Sequence, residues 1–252
     1  MPLLTKKGLA EFIEKNIPSF HQKRLESLAG LKLEKVLARK NPYLFKAKYI
    51  ESAGDLVKQL LDAHLSSQEE TVFGDFLEVL AVYVCQQTYG GRKSATEGID
   101  LEFDRDGVRY IVSIKSGPHW GNSSQIKKMR DYFRQARKII GNKQHLIAVN
   151  GCCYGRDKSP EKGDYQKLCG QAFWELISGN DAMYQDIVES LGHRAKERNE
   201  VFGKEYSKVA NRFTVEFIRD YCTEDGAIDW QSIVAFNSAK ARPAQQPRIN
   251  WK

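Results

Sequence analysis

The sequence predicts an α/β protein: a central mixed β-sheet flanked by helices, with large helical additions on its N- and C-terminal sides. Three observations lead there. Residues 99–114 read as a β-hairpin with Asp106-Gly107 at its turn. An amphipathic helical stretch, Asn122 to Gly141, runs into a short apolar strand, His145 to Asn150, which is the pattern of a crossover within one sheet. On either side, residues 1–70 and 171–237 repeat apolar residues at helical spacing.

The hairpin comes first because chemistry sits on it. Asp-Gly suits a two-residue primed turn, in which both residues take positive φ. With that turn, Arg105 faces Val108, Phe103 faces Tyr110, Leu101 faces Val112 and Ile99 faces Ile114. Opposed residues share a side, so the last three pairs form one apolar surface. The other surface carries Asp100 opposite Ser113, with Lys115 one step along. A carboxylate beside an ammonium there admits two readings. One is a solvated sheet face with an incidental ion pair. The other is a phosphodiesterase site, in which the aspartate holds a divalent cation and the lysine orients the attacking water.

Upstream, Leu9, Phe12 and Ile13 form a helical stripe before Pro18, a second helix spans Phe20 to Leu28, and a third runs from Leu31 to Lys40 and stops at Asn41-Pro42. Ser52 caps a fourth helix that buries Leu56, Leu60 and Leu61. A further helix, from about Glu70 to Thr88, buries Phe73, Leu77, Leu80 and Val84 and carries one mid-helix acid, Glu78, with Gly74 a turn before it.

Beyond the hairpin, His119, Trp120 and Asn122 lie on a loop at the mouth of the candidate site. Asn122 or Ser123 caps the next helix and Gly141 closes it. Ile126, Met129, Phe133, Ala136 and Ile140 face inward; Lys127, Lys128, Arg130, Arg134, Arg137 and Lys138 make a basic outer face, solvated or tracking a phosphate backbone, and Asp131 is its one acid. Residues 151–165 form a polar loop whose Arg156, Asp157 and Lys158 are of the types that read base edges, although a solvated connection would look similar. From Leu168 the chain is helical: one helix ends at Gly179, one buries Met183, Ile187, Val188 and Leu191, one runs from Arg194 to Tyr221, and a short one reaches Phe236. The expected organisation is a helical region 1–70, a core 71–170, a helical region 171–237 and a flexible tail 238–252.

Composition narrows the class. Five cysteines, two of them adjacent and none spaced Cys-x-x-Cys, argue against a disulfide framework and a structural zinc. No apolar run reaches membrane-span length and the start lacks a signal-peptide core, so a cytoplasmic protein is expected. Phosphate-binding glycine loops and a Gly-x-Ser-x-Gly elbow are absent from the sequence. A net charge of +7 favours a polyanionic partner.

An acid on one strand, a short turn, and a strand ending in acid-x-Lys is the signature of the PD-(D/E)XK nuclease fold, which Ile99-Asp100 with Ser113-Ile114-Lys115 resembles here. The runs 96–100, 113–118, 151–155 and 163–165 are similar to type II restriction endonucleases grouped with the PmeII enzyme, over roughly residues 70 to 240. Two positions depart from the pattern: Ile99 replaces its proline, and Ser113 stands where its second acid would be. The resemblance implies a Mg²⁺-dependent nuclease cutting double-stranded DNA into 5′-phosphate and 3′-hydroxyl ends, as a homodimer. It implies Asp100 and the Ile114 carbonyl as metal ligands, Glu78 or Asp131 as the second acid, Lys115 and Ser113 at the attacking water, and Gln125 in support. His119, Trp120, Asn122, Lys127, Lys128, Arg130, Arg134, Arg156, Asp157 and Lys158 are the candidate DNA contacts. A structure-specific repair or junction nuclease, and a catalytically inactive DNA-binding protein, are the alternatives.

Overall fold

The Asp106-Gly107 turn closes the hairpin as expected, with φ of 52° and 76°, both in the left-handed region. It joins β1 (Leu101–Arg105) to β2 (Val108–Lys115), antiparallel, in the register Leu101–Val112, Phe103–Tyr110 and Arg105–Val108. The computed structural model describes residues 4–141, 145–192 and 194–240. β3 (His145–Cys152) runs parallel to β2, and β4 (Gln166–Cys169) parallel to β3, giving a mixed sheet in the order β1-β2-β3-β4.

The residues divide into two units, each drawn from separate stretches: the chain up to Arg24 with Glu69–Asn199, and Leu25–Gln68 with the chain from Glu200 onward. This division interleaves what the sequence suggested as consecutive regions.

In the first unit the sheet is covered on both sides. Leu101, Phe103, Val112, Ile114 and Val149 pack with Leu80 and Val84 of α4 (Ala53–Tyr89), with Leu9 and Ile13 of α1 (Lys6–Ala29), and with Phe173, Trp174 and Ile177 of α6 (Gln171–Ser178). Ile99, Ile111 and Ala148 pack on the opposite side with Met129, Phe133 and Ala136 of α5 (Ser123–Ile140). The surface expected to carry only the polar set is therefore largely helix-covered. β2 is an inner strand, and inner strands flanked by helices bury both faces. α7 (Met183–Leu191) adds Met183 and Ile187 to the larger core.

In the second unit, α2 (Leu33–Arg39), α3 (Pro42–Ala47) and α9 (Trp230–Ser238) gather with parts of α4 and α8 (Ala195–Tyr221) around Leu37, Phe45, Leu61, Phe213 and Phe217.

Several sequence expectations need correction. The ladder does not reach an Ile99–Ile114 pair. The Asp100 N–H bonds the Val112 carbonyl at 2.8 Å, one residue short of the Ser113 that the register would oppose to it. Ile99 accordingly packs toward α5, away from Ile114. Pro18 does not end a helix: α1 runs through it. An internal proline costs about 3 kcal/mol, and burial of Ile13 and Ile17, in the turn and a half before it, works against that cost. The two helices expected within residues 52–88 are one, α4, because the residues between them contain no Gly or Pro to break it. Asn41-Pro42 starts a helix as well as stopping one: Asn41 Oδ1 accepts from the Tyr43 N–H at 3.0 Å and Pro42 takes the first turn. β4 was not expected; four residues are too short for alternation to stand out. The capping of α5 by Asn122, its stop at Gly141 and the stop of α6 at Gly179 are as expected. Most of the proposed tail, residues 241–252, lies outside the described residues.

Candidate active site

The one-residue slip at Asp100 aims its side chain back at β2. Carboxylate oxygen Oδ2 accepts the Ile114 N–H at 2.6 Å and the Ser113 hydroxyl at 3.4 Å, and Lys115 Nζ lies 3.9 Å away. Register irregularities of this kind recur beside active sites, where they redirect one side chain. Ser113 is almost fully buried, whereas the Asp100 and Lys115 side chains are partly open, 22% and 29% exposed. The aspartate and lysine are thus neighbours that both reach solvent.

Burial raises the Asp100 pKa above the usual carboxylate range; Lys115 and the Ile114 N–H work against that shift, and the negative charge of Glu78 adds to it. Glu78 projects from α4 and pairs with Lys93 at 3.3 Å. Gly74, one turn earlier, lies beside Ser116, just past β2: a Cβ built there would meet the Ser116 Cβ at 3.5 Å, an ordinary contact. Glu78 also acts on buried Cys153 beyond β3, whose thiol is pushed up to about 12 mainly by burial. Asp100, Ser113, Ile114 and Lys115 are therefore brought together, and the charge of Glu78 is felt by Asp100. Asp131 is paired instead with Arg134 on its own helix and is not among the charges acting on Asp100.

The raised Asp100 pKa has a stability consequence. For a carboxylate, a folded pKa above the unfolded value means that the ionised form opposes folding. The penalty is full above the folded pKa and disappears as pH falls to the unfolded value, near 3.8. Asp100→Asn, melted in EDTA, is expected to raise Tm at neutral pH, with the advantage shrinking toward pH 4. A lower Tm for the variant at pH 7 would show that the carboxylate is stabilised where it stands.

The loop after β2 is held from two sides. Lys167 Nζ donates to the Pro118 carbonyl at 2.8 Å, and Gly117 lies so close to the Tyr154 ring that a Cβ would fall 2.3 Å from it. Trp120 donates its indole N–H to Asn150 Oδ1 at 3.1 Å, and Lys115 Nζ stands 5.2 Å from the Trp120 ring centroid. Gln125 forms a reciprocal capping box with Asn122, so both side chains serve the start of α5. His119, Lys127, Lys128, Arg156 and Lys158 are exposed. Arg130 is tied to Asp164 at 2.9 Å. Asp157 accepts from the Ser159 N–H and from Lys162 at 2.9 and 3.0 Å, and Lys167 lies 3.6 Å from it. These partners hold its carboxyl below the usual range and make it a support for the loop.

Asn150 was missed by sequence reasoning. The available signal was its position: a polar residue ending an apolar run, in register with Ser113.

The sequence model of the type II restriction endonuclease EcoO109I matches residues 7–199. The chain belongs to that family. Membership in the EcoO109I family makes it a nuclease with DNA as its substrate. The match begins at the N-terminal helix, well before the hairpin, and ends at residue 199, whereas the sequence resemblance had been placed over residues 70 to 240. No curated protein matches the chain. Among the described residues, no helix is long and apolar enough to cross a membrane, and no group of three His, Cys, Asp or Glu is gathered to hold a metal.

Proposed function

We propose that this EcoO109I-family member cuts double-stranded DNA at a short sequence by cation-dependent phosphodiester hydrolysis, with a centre of the PD-(D/E)XK kind. The observation that carries the reading is the Asp100 carboxylate, just before β1, and the Lys115 ammonium, at the end of β2, 3.9 Å apart and both partly exposed. The donor set is all oxygen: two carboxylates, Asp100 and Glu78, with the Ile114 carbonyl proposed as a third. That suits Mg²⁺, which takes one or two carboxylates and keeps several waters. A hard cation held there would supply Lewis-acid stabilisation of charge on the phosphate oxygens.

The chain's own residues do the rest. Ser113 and the Ile114 N–H hold Asp100 in one orientation. Lys115 orients the attacking water and offsets charge that builds on the phosphate. Water oxygen bonds to phosphorus and the bond to the 3′ oxygen breaks, leaving 5′-phosphate and 3′-hydroxyl ends. Exposed Lys127, Lys128, Arg156 and Lys158 supply the positive surface for the duplex. A homodimer acting in the cytoplasm completes the proposal, since a palindromic target presents two equivalent strands.

Plasmid DNA incubated with the protein and Mg²⁺ should yield discrete fragments whose 5′ ends carry phosphate, and EDTA should stop the reaction. Tight, salt-sensitive binding without cutting in any divalent cation would identify a non-catalytic DNA-binding protein. Cutting confined to forked or four-way substrates would identify a repair or junction enzyme.

A further inference from the structure

The buried amide of Asn150 and the indole of Trp120 form a chain that ends at Lys115. Asn150 is 1% exposed, and both ends of its amide are used. Its Nδ2 donates to the Ser113 carbonyl at 3.2 Å and its Oδ1 accepts the Trp120 indole N–H at 3.1 Å. A buried amide with partners on both sides has one orientation, because turning it over would oppose donor to donor. The indole is thereby fixed to β3 and, through Asn150, to β2, which carries Lys115. Its ring lies 5.2 Å from Lys115 Nζ, within the range in which an aromatic face attracts an ammonium. The loop bearing Trp120 is anchored separately, by Lys167 on the Pro118 carbonyl and by the Asn122–Gln125 box. The ring is therefore a fixed wall for a long, flexible side chain.

We infer that Trp120 and Asn150 are positioning residues for Lys115. Asn150 sets the indole, and the indole holds the ammonium near Asp100, limiting the arc that four methylene groups would otherwise allow. The inference rests on the nuclease reading of Asp100 and Lys115. It gives Trp120 a different task from contacting DNA.

The test uses the full chain, Mg²⁺ and a duplex containing a site that the wild type cuts, under single turnover with enzyme in excess. DNA affinity is measured separately in Ca²⁺. Trp120→Leu should slow cleavage about tenfold while affinity stays within about twofold, the size of loss that one cation–π contact represents. Trp120→Phe, which keeps a ring but loses the indole N–H, should recover part of that rate. Trp120→Leu added to Lys115→Ala should cost nothing further, because the group it positions is already gone. Asn150→Leu should resemble Trp120→Leu if it folds; the Trp120 variants, on a half-buried loop residue, carry the test if it does not. A weaker affinity with an unchanged rate would make Trp120 a DNA contact and overturn the inference. A double variant slower than Lys115→Ala alone would also overturn it, because Trp120 would then act independently of the lysine. Full activity of Lys115→Ala by itself would instead remove the assignment of Asp100 and Lys115 to the cleavage site, on which the inference rests.

Discussion

Asp100→Ala and Lys115→Ala each lower the single-turnover cleavage rate by about 10³-fold or more, equivalent to roughly 4 kcal/mol in the barrier, with little change in DNA affinity. The expectation follows from where the groups stand. Asp100 is oriented by a 2.6 Å bond from the Ile114 N–H, and Lys115 is 3.9 Å from the same carboxylate oxygen. Both side chains are partly open, so truncation removes chemistry with little loss of core packing. Circular dichroism should therefore report a folded protein in both cases. Wild-type cleavage by either folded variant would mean that the pair is an ordinary ion pair on a sheet and that cutting happens elsewhere.

Glu78 and Asp131 separate in the second experiment. Glu78→Gln is expected to reduce cleavage about 10²-fold, whereas Asp131→Asn stays within about threefold. The charge of Glu78 acts on both Asp100 and Cys153. Asp131 is partly exposed and engaged with Arg134 one turn along its own helix; such surface pairs contribute about 0–1 kcal/mol. The charge-conserving Glu78→Asp variant should retain part of the activity, because a carboxylate remains on the same helix face. If Asp131→Asn were inactive while Glu78→Gln cut normally, the second acid would come from α5 and α4 would be only scaffold.

The sequence made the hairpin, its turn and most of its register legible because Asp106-Gly107 and the alternating residues 101–112 agree locally. That Asp100 and Lys115 come close together was legible from the same hairpin, although the ladder stops at Leu101–Val112 and Asp100 departs from the expected register. Where a feature depended on distant chain, reading stopped short. The slip at Asp100 needs Ile99 to find α5, and the loop and helix that bring Met129 and Phe133 to it come later in the chain. Glu78 was legible as an odd acid on an apolar helix, but that its charge reaches Asp100 depends on how α4 packs beside β2, where Gly74 lies against Ser116. Asp157 read as a base-recognition candidate because a loop acid is chemically suited to it; only the fold brings Lys162 and Lys167 to occupy it. The interleaved units were illegible for a simpler reason. Continuous helices such as α4 contribute residues to both, so no composition shift marks the boundary.

The most direct test is anomalous diffraction from crystals soaked with Mn²⁺, a hard cation that accepts the same oxygen ligands as Mg²⁺. A manganese peak about 2–2.4 Å from an Asp100 carboxylate oxygen, with Glu78 directed to it and lost in Asp100→Ala crystals, is the predicted result. A peak held by other residues, in a protein that still cuts DNA with Mn²⁺, would contradict the assignment.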